Sequence, residues 1–327
     1  MMKAFIPLVI VSLLLFGCCI TGPPTVTTPT PAPGASPTGT QEPGATSTPA
    51  LEPTGTPSAC GPTITSCNCS FNSPGTYVLG QDLTCEWGMG FYQGASGSTL
   101  DCQGHTIRAS SDGSGTGLYA IDASDLTIRN CRLDGFYSGT QFTRINNCRI
   151  QNNTFLNGPN GGMALISSNG CRITGNTAIG NSNGLYLSDC NNTLVANNTA
   201  NLNTYGGLNF GNSAGLVVSG NTLNGNRGGI LVGNCTNGEF ERNTITSSNS
   251  SAIWVYDSTG NRIESNTLSG GAWGIEMRNT TGNTFARNLL RNSSLAFYCE
   301  DALANIDGGS NTCGGSQSEG CAWVSCP

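Results

Sequence analysis

The stretch Cys171-Arg-Ile-Thr-Gly-Asn-Thr-Ala-Ile-Gly-Asn-Ser-Asn-Gly-Leu-Tyr-Leu-Ser-Asp-Cys-Asn-Asn192 is followed by Thr193-Leu-Val-Ala-Asn-Asn-Thr-Ala-Asn-Leu-Asn-Thr-Tyr-Gly-Gly-Leu-Asn-Phe-Gly-Asn-Ser-Ala-Gly215, a second copy of the same pattern. Working outward, blocks of the form apolar-x-x-Asn-Thr/Leu begin at Leu126, Cys148, Cys171, Thr193, Leu216, Gly238, Asn261 and Asn283, at spacings of 22, 23, 22, 23, 22, 23 and 22. The third position of each block holds Ile128, Ile150, Ile173, Val195, Val218, Phe240, Ile263 and Phe285. The eighth holds Leu133, Phe155, Ala178, Ala200, Leu223, Ile245, Leu268 and Leu290. Later in the block a small residue precedes an apolar-x-apolar triplet, as in Gly184-Leu185-Tyr186-Leu187 and Gly229-Ile230-Leu231-Val232. That alternation is the two-residue period of a strand.

A repeat of this length, with three short strand patterns separated by Gly, Asn and Ser, is one rung of a solenoid: no rung can bury its inner face alone. An asparagine column (Asn153, Asn176, Asn198, Asn221, Asn243, Asn266, Asn288) keeps register through seven successive blocks. It predicts side chains that hydrogen-bond from rung to rung. A second polar column runs Asp189, Asn212, Asn234, Asp257, Asn279. No stretch after residue 60 sustains a helical period, which excludes helix-containing barrels and doubly wound folds. The fold class predicted is all-β: a right-handed, single-stranded parallel β-helix of about nine or ten rungs.

Upstream, Pro74-Gly-Thr-Tyr-Val-Leu79 and Thr99-Leu-Asp-Cys-Gln-Gly-His-Thr-Ile107 read as the first rungs. The start LDCQGHTI, followed by repeated N-T-[LIA] and GI.L motifs, resembles the NosD-like right-handed parallel β-helix repeat proteins over roughly residues 74–300. The resemblance implies a repeat of the carbohydrate-binding and sugar-hydrolysis type shared with pectin-degrading enzymes. Function is less defined by it, because the same coil serves lyases, hydrolases, adhesins and structural proteins. The aspartate clusters and Arg-x-Lys motif of polygalacturonase-like enzymes are not found in the middle rungs here. The copper suggested by the family's name needs soft or imidazole ligands, which one histidine and five methionines poorly supply.

Composition narrows the function classes. Thirteen Lys+Arg against 19 Asp+Glu, a net charge of -6, exclude a nucleic-acid binder. The single lysine, Lys3, lies in the leader, so lysine chemistry is excluded, and the single histidine, His105, excludes His-rich metal sites. Residues 1–20 read as an export leader whose apolar run is shorter than a membrane span. It ends Leu14-Leu-Phe-Gly-Cys18, which resembles a prokaryotic lipobox with Cys18 as the lipidation site; an uncut anchor and plain secretion are the alternatives. Residues 21–59, rich in Thr, Pro, Gly, Ala and Ser, cannot bury a core and read as an extended stalk. A Cys-rich cap with the first rung (60–97), the β-helix (98–303) and a Cys-rich C-terminal cap (304–327) follow. The protein is therefore expected at the extracellular face, held to the membrane through the leader or secreted.

The cysteines beyond Cys19 are even in number, as disulfides in an exported protein require. Cys148 and Cys171 share block position 1 on adjacent rungs, about 5 Å apart, and are the best-placed pair. Cys190 and Cys235 share a column two rungs apart and are expected to stay free. Cys60, Cys67, Cys69 and Cys85 fit staples at the start, and Cys299, Cys313, Cys321 and Cys326 staples at the end.

For chemistry, Glu241 and Glu264 occupy the outward fourth position of adjacent blocks, a spacing that suits a carboxylate pair of a glycosidase or lyase. Glu239, Arg242, Arg262 and Arg287 surround them, and an ion network with no catalytic role explains the pair as easily. Asp101, Asp122, Asp125 and Asp134 are compatible with calcium on spacing alone, and His105 reads first as a turn residue. No cofactor or metal is otherwise indicated. The outward residue of the third strand runs Gln141, Ala164, Tyr186, Asn209, Leu231, Trp254, Glu276, with Tyr205 and Trp273 on the adjoining turn. Tyr186 and Trp254, about 14 Å apart, are spaced to stack on separated units of one glycan chain. Tyr186, Tyr205, Trp254 and Trp273 are therefore the ligand-binding candidates, polysaccharide or cell-envelope glycan is the expected partner, and non-catalytic binding or an envelope-structural role is the function expected. A polysaccharide lyase or glycosidase acting through the Glu pair, and a passive spacer or coat, are the alternatives.

Overall fold

The structure, a computed structural model, describes residues 58–326 other than 87–88, 112, 303 and 315–316. The leader, Cys18 and the Thr/Pro-rich stretch lie outside the described residues. The chain winds as a right-handed parallel β-helix of about 11 turns. Three parallel sheets run its length, and no α-helix occurs among the described residues. Sheet A has 13 strands, sheet B 12 and sheet C 10. One rung shows the plan: Arg172–Thr174 lies in sheet B, Thr177–Ile179 in sheet C and Asn183–Ser188 in sheet A. The coil starts earlier than the repeat pattern does, because Ser58–Ala59 and Thr63–Ile64 already pair with following strands. It also runs later, through Ala304–Gly309 and Gln317–Glu319.

The sequence columns become physical stacks. Ile128, Ile150, Ile173, Val195, Val218, Phe240, Ile263 and Phe285 pair in register along sheet B, and all are buried. Leu133 through Leu290 do the same along sheet C. Every rung adds the same inward apolar surface to one continuous core, which is the main stabilising term.

The turn between sheets B and C follows from backbone geometry. Its first residue is left-handed in each rung, at Asn152 (φ 54°), Gly175 (67°), Asn197 (55°), Gly220 (65°), Arg242 (53°), Ser265 (55°) and Arg287 (53°). Glycine and asparagine accept that conformation most readily. The next residue is the ladder asparagine, and each donates from Nδ2 to the Oδ1 of the following rung's asparagine, from Asn153 to Asn311. Two further ladders were not anticipated: Asn181, Asn203, Asn226 between sheets C and A, and Asn261, Asn283, Asn305 between sheets A and B. The Asp189-to-Asn279 column forms an exposed left-handed turn with side-chain bonds such as Asn234 to Asn212.

Disulfides bond Cys60–Cys69 and Cys67–Cys85 at the start, and Cys299–Cys321 and Cys313–Cys326 at the end. Cys148 and Cys171 are bonded across adjacent rungs with Cα atoms 4.5 Å apart. Cys102–Cys131 is a further bond that the repeat did not point to. Cys190 and Cys235 are free and buried.

Candidate functional site

Inward columns are committed to the core, so chemistry falls to the outward columns. On sheet A the outward stack runs Tyr92, Tyr119, Gln141, Ala164, Tyr186, Asn209, Leu231, Trp254, Glu276, Tyr298, each paired in register with the next. Tyr92 and Tyr119 stack with ring centroids 5.4 Å apart. The spacing that located Tyr186 and Trp254 would have found them too, had the column been carried back through the longer rung that precedes Leu126.

The centre of this face is concave because small residues flank the stack. On one side lie Asn183, Gly206 and Gly228; on the other Ser188, Gly211 and Gly233. A Cβ on Gly228 would meet the Leu231 side chain at 2.8 Å, and one on Gly233 would meet the Tyr256 ring at 2.2 Å. The glycines thus make a floor over which Leu231 and Tyr256 fold. Burial pushes the Tyr256 hydroxyl up to about 12. Its ring packs against Trp254 at 4.8 Å, and Trp273 packs against Tyr298 at 5.5 Å, so the large side chains close the concavity from the later rungs.

What remains open is a cavity of about 190 Å3 lined by Tyr205, Arg227, Leu231, Ser250, Ser251 and Trp254. Two of the four aromatic candidates, Tyr205 and Trp254, therefore meet in one groove. Tyr186 lies on the same face two rungs before Leu231, and Trp273 pairs in register with Ser251. Tyr205 is exposed at 45%. Arg227, Ser250 and Ser251 are the groove residues that the sequence reading missed: Arg227 and Ser250 sit in turns and Ser251 opens a strand, with no apolar period to mark them. Ser251 is committed: its hydroxyl donates to the buried carboxylate of Glu276. Glu276 also accepts from Arg278 Nε at 2.7 Å, and Arg278 reaches Glu300 at 2.9 Å while lying over the Tyr298 ring.

The Glu241 and Glu264 pair is assembled as the register requires, in adjacent strands of sheet B. The two carboxylates differ in environment. Glu264 is buried and ion-paired to both Arg262 and Arg287, whereas Glu241 is half-buried and paired to Arg242. Their outward direction follows from strand alternation, but the arginines cover Glu264 from either side. The pair faces away from the sheet A groove, and no cavity described above opens on it.

The four aspartates are not brought together. Asp101 pairs with Arg129, Asp122 with Arg144 and Asp134 with Arg108. His105 aligns one rung before Cys131, at the head of the ladder column, with its Nδ1 3.1 Å from Asp82. Among the described residues no three His, Cys, Asp or Glu side chains converge as a metal site.

Fold and face together define a parallel β-helix repeat protein whose one aromatic-lined groove, among those described here, lies on sheet A. The chain belongs to the family described as periplasmic copper-binding protein (NosD), whose model matches residues 81–208 and 124–320. Among curated proteins none matches it in sequence. Among solved structures it is similar to a doubly substituted variant of the periplasmic alginate epimerase AlgG, at 13% identity and a TM-score of 0.54, over 78% of this chain and 79% of that one. It is also similar to the catalytic domain of a GH87 α-1,3-glucanase in complex with nigerose, at 12% identity and a TM-score of 0.53, over 77% of this chain and 62% of that one. At these identities the likeness is one of fold.

The copper in the family description does not fit the donors among the described residues. His105 is engaged with Asp82, and Met163 and Met277 are fully buried in the core. The free thiols of Cys190 and Cys235 donate to backbone carbonyls within the coil, at Leu165, Ser188 and Gly233. These groups are dispersed along the solenoid and do not converge on one centre.

Proposed function

We propose that the protein is an exported β-helix module that binds polysaccharide along the outward face of sheet A without cleaving it. The observation that carries this reading is the groove where Tyr205 and Trp254 meet beside Gly228 and Leu231, with hydroxyl and guanidinium groups at its edge. Flat apolar rings beside a few polar groups suit the alternating faces and rims of a pyranose chain. The disulfides support an oxidising compartment, and the leader with its Cys18 and stalk would hold such a module clear of a membrane. The arginine-paired state of Glu241 and Glu264 favours a structural role for them over a catalytic one.

The test incubates the protein with neutral and acidic polysaccharides and scores retention and new chain ends in the same tubes. Retention without new ends is expected, weakened at least about tenfold by Trp254→Ala, in line with the loss of one stacking contact. Glu241→Gln is expected to change neither reading. New chain ends that vanish in Glu241→Gln would overturn the proposal in favour of an enzyme.

A further inference from the structure

Arg227 is the cation that lines the groove. Arg278, on the same face, is held by Glu276 and Glu300. No carboxylate among the described residues pairs with Arg227, although its side chain is exposed and lines the cavity. The turn column it belongs to runs Ser182, Tyr205, Arg227, Ser250, Ala272, with no acid in it. The nearest carboxylate of the face, Glu276, is buried and saturated by Ser251 and Arg278. Resting on the polysaccharide reading above, we infer that the groove takes an anionic saccharide unit, carboxylated or sulfated, whose charge is held by Arg227 while its ring lies against Trp254 and Tyr205.

Charge and geometry both lead there. With a net charge of -6 the molecule as a whole repels a polyanion, so retention of one requires a local cation that is not already neutralised. A guanidinium offers paired donors to the two oxygens of a carboxylate or sulfate, a fit no hydroxyl at the groove edge can supply. Tyr205 and Ser250 have no side-chain hydrogen-bond partner among the described residues, which leaves two hydroxyls beside Arg227 for the rim of the same sugar.

The experiment measures retention of the full chain in affinity gels cast with polygalacturonate, dextran sulfate or dextran, at low and high salt. The variants are Arg227→Gln, Trp254→Ala and, as a control, Arg149→Gln, an exposed and unpaired arginine on sheet B. Arg227→Gln is expected to weaken retention by an acidic gel about tenfold, the worth of one charge-assisted contact at an exposed site, and to leave dextran unaffected. Arg149→Gln should match the parent, and added salt should weaken only the acidic arms. Loss confined to polygalacturonate assigns a uronate and loss confined to dextran sulfate a sulfate ester; either supports the inference. Equal retention on dextran and the acidic gels, unmoved by Arg227→Gln but lost in Trp254→Ala, overturns the anionic assignment and leaves the binding groove standing. Retention on none of the three overturns both.

Discussion

Asn221 sits in the middle of the long ladder and is 1% exposed. Its Oδ1 accepts from the backbone N of Asn198 at 2.9 Å and from Asn198 Nδ2 at 3.0 Å. Its Nδ2 donates to the Val195 carbonyl at 3.0 Å and to Asn243 Oδ1 at 2.9 Å. Asn221→Ala deletes all four and strands two buried donors on Asn198. Each orphaned donor costs about 1–3 kcal/mol, and the vacated amide adds a small void, so the expected loss is about 3–5 kcal/mol. That is a large share of the roughly 5–15 kcal/mol typical of a folded domain. Asn234→Ala is the comparison: Asn234 is exposed and its side chain makes one bond, to Asn212 at 2.9 Å. Its loss, with the left-handed turn it favours, should cost about 1 kcal/mol. Denaturant unfolding with the disulfides intact gives the two values, and hydrogen exchange locates the damage, which should centre on the amides of Asn198 and Asn221. A cost for Asn221→Ala below about 1 kcal/mol, or equal to that of Asn234→Ala, would show that the ladder is an effect of the stacking and contributes little to it.

Burial pushes the Cys190 thiol up to about 12 and that of Cys235 to about 11, so at pH 8 neither should react with an alkylating agent until the fold is opened, when both react; rapid labelling of the native protein would contradict the buried column. Three aspartates of the first rungs lie below their ordinary value of 3.8: Asp82 through the Thr106 N–H and His105, Asp122 through Arg144, and Asp101 because Asn130, the Gln103 N–H and Arg129 outweigh its burial. A depressed carboxylate contributes stability above its unfolded pKa and loses it as pH falls through the folded one, so the melting temperature should hold from pH 7 to about 5 and fall below about 4. Arg144→Gln should flatten that acid limb slightly, Asp122 being exposed, and an acid limb that begins above pH 5 would point to groups other than these.

The coil was legible because its constraints repeat. A position that faces the core in one rung faces it in all, so Ile173 and Val195 name the same site and the period exposes them. The ladder asparagines were legible for the same reason. Cys102–Cys131 was not, because the earlier rung is longer in its turns: residues 102–105 separate Thr99–Asp101 from Thr106–Ala109 where only 130–131 separate the matching strands of the next rung, so the column count cannot be carried back unchanged. Alternation also gives direction without coverage. Glu264 points outward as its position requires, yet it is buried, since Arg262 and Arg287 reach over it from neighbouring positions. The groove escaped for a related reason: Arg227 and Ser250 belong to turns, where no period says which way a side chain leans.

The contrast between columns still tells where binding can reside. On sheet B the inward column from Ile128 to Phe285 uses only Ile, Val and Phe, because each rung must fit the one beneath it. On sheet A the outward stack from Gln141 to Glu276 holds seven different residue types at one geometric position. Stacking does not dictate those side chains, so a coil of this kind can change its surface without disturbing its core. Diversity alone makes no groove. Here Gly206, Gly228, Gly211 and Gly233 lower the floor over two adjacent rungs, and Trp254, Tyr256 and Trp273 raise the wall over the next two. Arg227 stands at the edge of that step with no carboxylate partner among the described residues, so replacing Gly228 with a bulky residue should close the site while leaving the inward columns, and with them the fold, as they are.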